Sequence, residues 1–202
     1  MQFNTALTIE KLFRSKTRTR ILWHFLENTA VRSGLRELSR IVKLQVHAVG
    51  REIALLKKTN LLLEEKTPSK NFYSLNTEHP FYEEIVSLFH KSYGVGGMIM
   101  NNRDVFAGTD FLLLTSYFLF NQPKDKYDID ILLVGSPKID QVSIFLHNIE
   151  TSLQRELLYT IITPGDFKNR KQKLDPFIWN ILEKPSVLLL GKQAELLKGV
   201  AS

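Results

Sequence analysis

The chain has 202 residues, 44% hydrophobic and 24% charged, which suits a folded globular protein of one large domain or two small ones. It has no cysteine, which excludes disulfides, cysteine nucleophiles and thiolate metal sites and fits a reducing cytoplasm. No run is long and apolar enough to span a bilayer, and the start, MQFNTALTIEKLF, lacks the pattern of a secretory signal, so a cytoplasmic protein with no membrane partner is expected. The formal net charge of +6 is unevenly spread. Residues 1–90 hold 14 Lys and Arg against 9 Asp and Glu, whereas residues 91–202 hold 13 against 12. The basic excess of the first half points to a polyanionic partner there.

Along residues 8–28, Ser15 or Thr17 can cap a helix, and Ile21, Leu22, Phe25 and Leu26 recur at helical spacing. Asn28 is expected to end it. His24 has no suitably spaced second ligand and is read as a packing or surface histidine. Residues 35–42, LRELSRIV, form a short amphipathic helix with Leu35, Leu38, Ile41 and Val42 inward. After a break at Lys43-Leu44-Gln45, residues 46–58 form a longer helix with Val46, Val49, Ile53 and Leu56 on one stripe. So short a connection makes a helix-turn-helix, whose second helix would lie in a DNA major groove. The exposed candidates are Arg36, Gln45, His47 and Arg51, of which Gln and Arg make bidentate contacts to base edges. Gly50 costs about 1 kcal/mol against Ala within a helix. Close approach to a phosphate backbone or to another helix would explain it.

Residues 61–76 read as a hairpin, with LLLEE and FYSLN as strands and KTPSKN as a basic turn. Lys66, Lys70 and Asn71 at its tip are placed to meet phosphates or the minor groove. Helix-turn-helix followed by a basic hairpin is the winged-helix order. Leu35-Arg36-Glu37-Leu38 and Tyr73-Ser74-Leu75-Asn76 resemble the pattern of winged-helix transcriptional regulators across about residues 10–90. The resemblance implies duplex DNA binding, as a homodimer on paired half-sites.

His79-Pro80 opens a helix over 79–93, with Ile85, Val86, Leu88 and Phe89 as its apolar face. Gly94, Gly96 and Gly97 mark a loop or hinge and a domain boundary. Residues 98–108 fit either a short helix or a loop. Strands are expected at 110–116, 128–134, 157–162 and 186–190, with helices at 139–153, from Pro164, at 177–182 and at the C-terminal end. That alternation is an α/β signature.

Asp128 and Asp130, two apart at a strand start, project from one face and suit a hard divalent cation. Ser116, ending a neighbouring strand, could reach a phosphate held by the same metal. This stretch resembles the minimal nucleotidyltransferases of the DNA polymerase beta-like superfamily. Tyr127-Asp128-Ile129-Asp130-Ile131-Leu132-Leu133-Val134-Gly135 matches their second strand almost position by position, and Asp166-Phe167 and Asp175-Pro176-Phe177 resemble the tail. The resemblance implies Mg²⁺ on Asp128 and Asp130 as catalytic carboxylates, and a nucleoside triphosphate near Thr115, Ser116 and Lys124. There are departures. Thr115 stands where the family has Gly, Tyr117–Phe120 replaces a small residue, Arg and Gly, and Leu158 falls where a third acid is usual.

The expected architecture is α+β in two domains, a winged helix-turn-helix over 1–93 and an α/β nucleotidyltransferase fold with a mixed sheet over 94–202. The expected function is a DNA-binding transcriptional regulator whose second domain is degenerate and serves ligand sensing or assembly. The alternatives are an active Mg²⁺-dependent nucleotidyltransferase, possibly of antitoxin type and targeted by its winged helix, and a protein-interaction module with an exposed apolar patch around Tyr117–Phe120.

Overall fold

A computed structural model of the chain describes residues 4–120 and 128–198. It has mixed α and β structure with two sheets, one antiparallel and one mixed. The chain divides into two compact units, Asn4–Gly94 and the part from Val95 onward.

The first unit begins with a helix that was not expected, α1 (Thr5–Leu12), followed by the expected one, α2 (Lys16–Glu27), with Ser15 as its N-cap and Asn28 at its end. The break has a local cause. Arg14 adopts a left-handed conformation (φ 53°), and the Ser15 side chain then accepts from the Arg18 N–H, starting α2 afresh. Strand β1 (Arg32–Gly34) was not foreseen, because three residues carry no readable alternation. Helices α3 (Leu35–Val42) and α4 (Val46–Lys58) match the expected spans. Between them Lys43 is left-handed (φ 55°), and the Leu44 N–H bonds back to the Ser39 carbonyl, closing the turn. Strands β2 (Leu62–Lys66) and β3 (Asn71–Leu75) form the hairpin, and β1 adds to β3 in a three-stranded antiparallel sheet.

Ile21, Leu22, Phe25 and Leu26 of α2, Leu38 and Val42 of α3, and Val49, Ile53 and Leu56 of α4 are buried as expected. Each such side chain contributes roughly 1.5–3 kcal/mol by leaving water. Two expectations are corrected: Ile41 is 46% exposed and Val46 38% exposed. Each sits at the end of its helix, beside the turn, where few neighbours can cover it. Leu88 is likewise exposed, although Val86 and Phe89 of α5 (Tyr82–His90) are buried. That helix starts at Tyr82 rather than at Pro80, because the His79 ring instead accepts from the Phe81 N–H and holds a turn.

The expected glycine loop is also corrected: α6 (Gly94–Asn101) runs through it, with Gly96 and Gly97 buried. Burial of Val95 and Ile99 outweighs the poor helix propensity of glycine. Gly94 has φ +58°, and a Cβ there would come within 2.9 Å of the Trp23 ring. Residues 103–106 form a 3-10 turn.

In the second unit, β4 (Thr109–Leu114), β5 (Ile131–Gly135), β6 (Tyr159–Ile162) and β7 (Val187–Leu190) form a sheet in the order β6-β5-β4-β7. Only β5 and β6 are parallel; helix α8 (Ile139–Leu153) makes the crossover between them. Helix α7 (Ser116–Leu119) follows β4. Helices α9 (Pro164–Gln172), α10 (Pro176–Leu182) and α11 (Gln193–Leu196) complete the unit. Thr163 and Asp175 cap α9 and α10, each followed by Pro at the first helical position. Every residue of β5 is buried, as expected of a continuous apolar strand covered on both faces. Leu113, Leu132 and Val134 pack with Phe167, Ile178, Ile181 and Leu196 of the last three helices. Two strands begin later than expected, at Ile131 and Tyr159, so Asp128 and Asp130 precede the ladder rather than open it.

Candidate nucleic-acid interface and acidic centre

In the first unit, α4 is anchored from behind. Glu52 on its inner side accepts from Ser15 Oγ at 2.6 Å and from Arg18 Nε at 2.9 Å, tying α4 to the start of α2. The Arg18 guanidinium also donates to the Phe13 carbonyl. With Glu52, Val49, Ile53 and Leu56 facing inward, the opposite stripe of α4 is left outward. His47, Arg51, Ala54 and Lys58, spaced i, i+4, i+7 and i+11, are all exposed. Gln45, the N-cap residue of α4, is exposed with no side-chain capping bond, and Arg36 is exposed in the first turn of α3. Packing does not explain Gly50. A Cβ added there would lie 3.9 Å from Leu35 Cδ1, an ordinary contact, so packing against α3 does not require glycine.

The hairpin turn is closed by its own backbone and by Thr67. The Thr67 N–H and hydroxyl both donate to the Lys70 carbonyl, and Thr67 Oγ1 accepts from the Lys70 N–H at 3.2 Å. Lys66 and Lys70 are exposed on either side. Lys70 Nζ stands 4.4 Å from the centroid of the Phe72 ring, whose position it shares with the Arg32 guanidinium at 5.3 Å. Arg32, absent from the sequence-based candidates, therefore joins this basic edge, also pairing with Glu65 at 2.9 Å. The signal that would have found it is the three-residue strand β1. Asn71 donates to Glu64 at 3.0 Å, so its amide is engaged within the hairpin.

His24 is half-buried with Nε2 3.0 Å from Ser33 Oγ, and burial lowers its pKa against the opposing pull of Glu37. It serves packing, as its sequence context suggested. His90 is buried beside the Trp23 ring, and burial lowers its pKa to about 4.

In the second unit, Thr115, Ser116, Asp128 and Asp130 are all buried. Thr115 is the N-cap residue of α7, not a strand residue. Its hydroxyl donates to the Ile129 carbonyl and its N–H to the Asp130 carbonyl at 2.9 Å. Where the family resemblance places Gly, the threonine thus stitches the end of β4 to the approach of β5. Ser116 Oγ is buried without a hydrogen-bond partner among the described residues. Asp130 is fully buried, with Oδ2 accepting from the Leu158 N–H at 2.9 Å and Oδ1 from Arg155 Nη2 at 3.1 Å. Arg155, another residue missed from sequence, also lies 5.1 Å from the Phe118 ring centroid. Tyr117 is buried, its hydroxyl accepting from Asn180 at 3.1 Å and from Lys184 at 2.5 Å, and Leu119 is buried too. The segment Tyr117–Phe120 therefore packs inward and presents no large exposed patch. Lys124 and Lys126 lie outside the described residues. Among the described residues no group of three or more His, Cys, Asp or Glu is arranged to hold a metal ion, and no helix is long and apolar enough to cross a membrane.

No protein-family model and no curated protein matches the chain. One solved structure is similar in part: reduced HlyU from Vibrio cholerae, at 27% sequence identity over 44% of this chain and 88% of that one, with a TM-score of 0.34.

Proposed function

We propose that the chain is a DNA-binding transcriptional regulator. Helix α4 enters the major groove of duplex DNA, the turn between Lys66 and Asn71 rests on the flanking backbone as the wing of a winged helix, and two copies bind paired half-sites. The second unit serves ligand sensing or assembly rather than catalysis. One observation carries this reading. The helix that follows the tight turn presents His47, Arg51 and Lys58 on a single outward stripe, while its other side is fixed by Glu52 and the core. Arg36, Gln45, Lys66 and Lys70 flank that stripe in chain order and are all exposed, in the half of the sequence that holds the basic excess.

Mobility-shift assays with genomic fragments test it. The expected result is a fragment bound more tightly than random duplex, with binding weakened by Arg51→Ala and by Lys70→Ala. Equal affinity for all duplexes, unchanged by either substitution, would remove the proposal.

A second reading, metal-dependent nucleotidyl transfer, is favoured by Asp128 and Asp130 together with Ser116, whose hydroxyl has no hydrogen-bond partner among the described residues. Incubation with Mg²⁺ and labelled nucleoside triphosphates tests it. Turnover lost in Asp128→Asn would establish catalysis and displace the proposed role of the second unit.

A further inference from the structure

The acidic pair of the second unit invites a divalent cation, since two carboxylates two residues apart supply hard oxygen donors. The geometry around Asp130 answers differently. Its carboxylate is fully buried and both oxygens are engaged, Oδ2 by the Leu158 N–H and Oδ1 by the Arg155 guanidinium. The backbone adds to the clamp: the Asp130 N–H donates to the Leu158 carbonyl at 2.7 Å.

Arg155 is also held in place by the chain around it. After α8 the backbone reverses at Gln154, which is left-handed (φ 51°), and the Arg155 N–H returns to the Glu150 carbonyl at 3.2 Å. Glu150 Oε1 in turn accepts from the Leu157 N–H at 2.8 Å. The guanidinium lies over Phe118, where an aromatic face adds to its attraction.

We propose that Arg155 is the resident counter-charge of Asp130 and that this centre holds no metal. A hard cation such as Mg²⁺ wants about six oxygen ligands in octahedral array. Here one carboxylate already has a cation and a backbone donor, the guanidinium would repel a second positive charge, and no third acidic or histidine ligand joins the pair among the described residues. The donor set does not fit Mg²⁺. This inference goes beyond the DNA-binding proposal and does not depend on it.

The test titrates Mn²⁺ into the full-length chain and follows the free-ion signal by electron paramagnetic resonance, with melting temperature recorded in EDTA and in millimolar Mg²⁺. The wild-type chain is expected to leave the free Mn²⁺ signal as in buffer and to melt at the same temperature in both solutions. Arg155→Met is expected to melt lower, with Arg155→Lys between it and wild type. Uptake of one Mn²⁺ per wild-type chain that is lost in Asp130→Asn would overturn the proposal, as would an Arg155→Met chain that melts like wild type. Should Arg155→Met fail to fold, the Mn²⁺ titration of the wild-type chain decides alone. None of these outcomes alters the DNA mobility-shift result, so the two proposals fail separately.

Discussion

The two units place some of their charged side chains differently. In the first, Arg36, Arg51, Lys66 and Lys70 stand exposed and outside the ion pairs formed among the described residues, while a few acids such as Glu52 do internal work. In the second, several charges turn inward. Asp130 holds Arg155, Lys184 donates to the Tyr117 hydroxyl, and buried Lys171 donates to the carbonyls of Leu196 in α11 and of Lys198 just after it. A side chain whose hydrogen-bonding capacity is already used within the fold has little left for a ligand. The difference is one of placement: Arg36, Arg51, Lys66 and Lys70 stand outward beside ion pairs such as Arg32–Glu65 and Lys57–Glu64, whereas in the second unit buried Asp130 and Lys171 are bonded within the fold.

The largest effect expected of this contrast is a pH dependence confined to the first unit. His90 has its pKa lowered to about 4 by burial, whereas the unfolded value is near 6.5. The unfolded state therefore binds the proton more readily, so the stabilisation is complete above about pH 6.5 and lost as pH falls towards 4, by about 3 kcal/mol in all. Half-buried His24 acts in the same direction, while the raised pKa of Glu27 opposes it. Melting curves between pH 7.5 and 4 check this, and a flat profile would show that the His90 environment opens readily to water. Next in size, DNA affinity should fall roughly a hundredfold between 50 and 200 mM salt if four side chains meet phosphates. Anisotropy titrations at several salt concentrations read the slope, and a flat one would erase the contrast.

Arg155→Met should destabilise the second unit by about 2 kcal/mol, less than for a fully enclosed pair because the Arg155 side chain is 35% exposed. Urea denaturation measures it. Arg51→Ala should lower affinity for the preferred duplex by roughly five- to 150-fold, the loss of about 1–3 kcal/mol expected of a base contact, and leave the melting temperature unchanged. The smallest effect sharpens the comparison within α4 itself. Gly50→Ala should stabilise the fold by up to about 1 kcal/mol, since the added methyl meets only ordinary contact with Leu35. If the glycine is kept for close approach to DNA, the same variant binds duplex more weakly while melting higher.

Much of the first unit was legible because its signals are local. The three-residue turn at Lys43-Leu44-Gln45, the periodicity of Val49, Ile53 and Leu56, and the KTPSKN turn each state their element within a few residues. The Ser15 cap and the Asn28 end of α2 were read from sequence; α1 ahead of it was missed, and so was β1, a strand recognisable only by its partner. The second unit's strands were legible as apolar runs, but its centre was not. Asp128-Ile129-Asp130 reads as a strand start by alternation, yet the Asp130 carboxylate bonds to the Leu158 N–H, 28 residues away in sequence, and the ladder begins only at Ile131. Its counter-charge, Arg155, is 25 residues from it along the chain, and no spacing rule connects them. The glycines at 94, 96 and 97 misled for a related reason: burial of Val95 and Ile99 decided the helix, and burial is a property of the whole fold.

The most direct test of the central claim is hydrogen exchange of the full-length chain with and without a bound duplex, read by mass spectrometry. The account predicts slowed exchange at residues 45–58 and 66–71 and no change across 109–162. Slowed exchange in the second unit alone, with α4 unaffected, would contradict it.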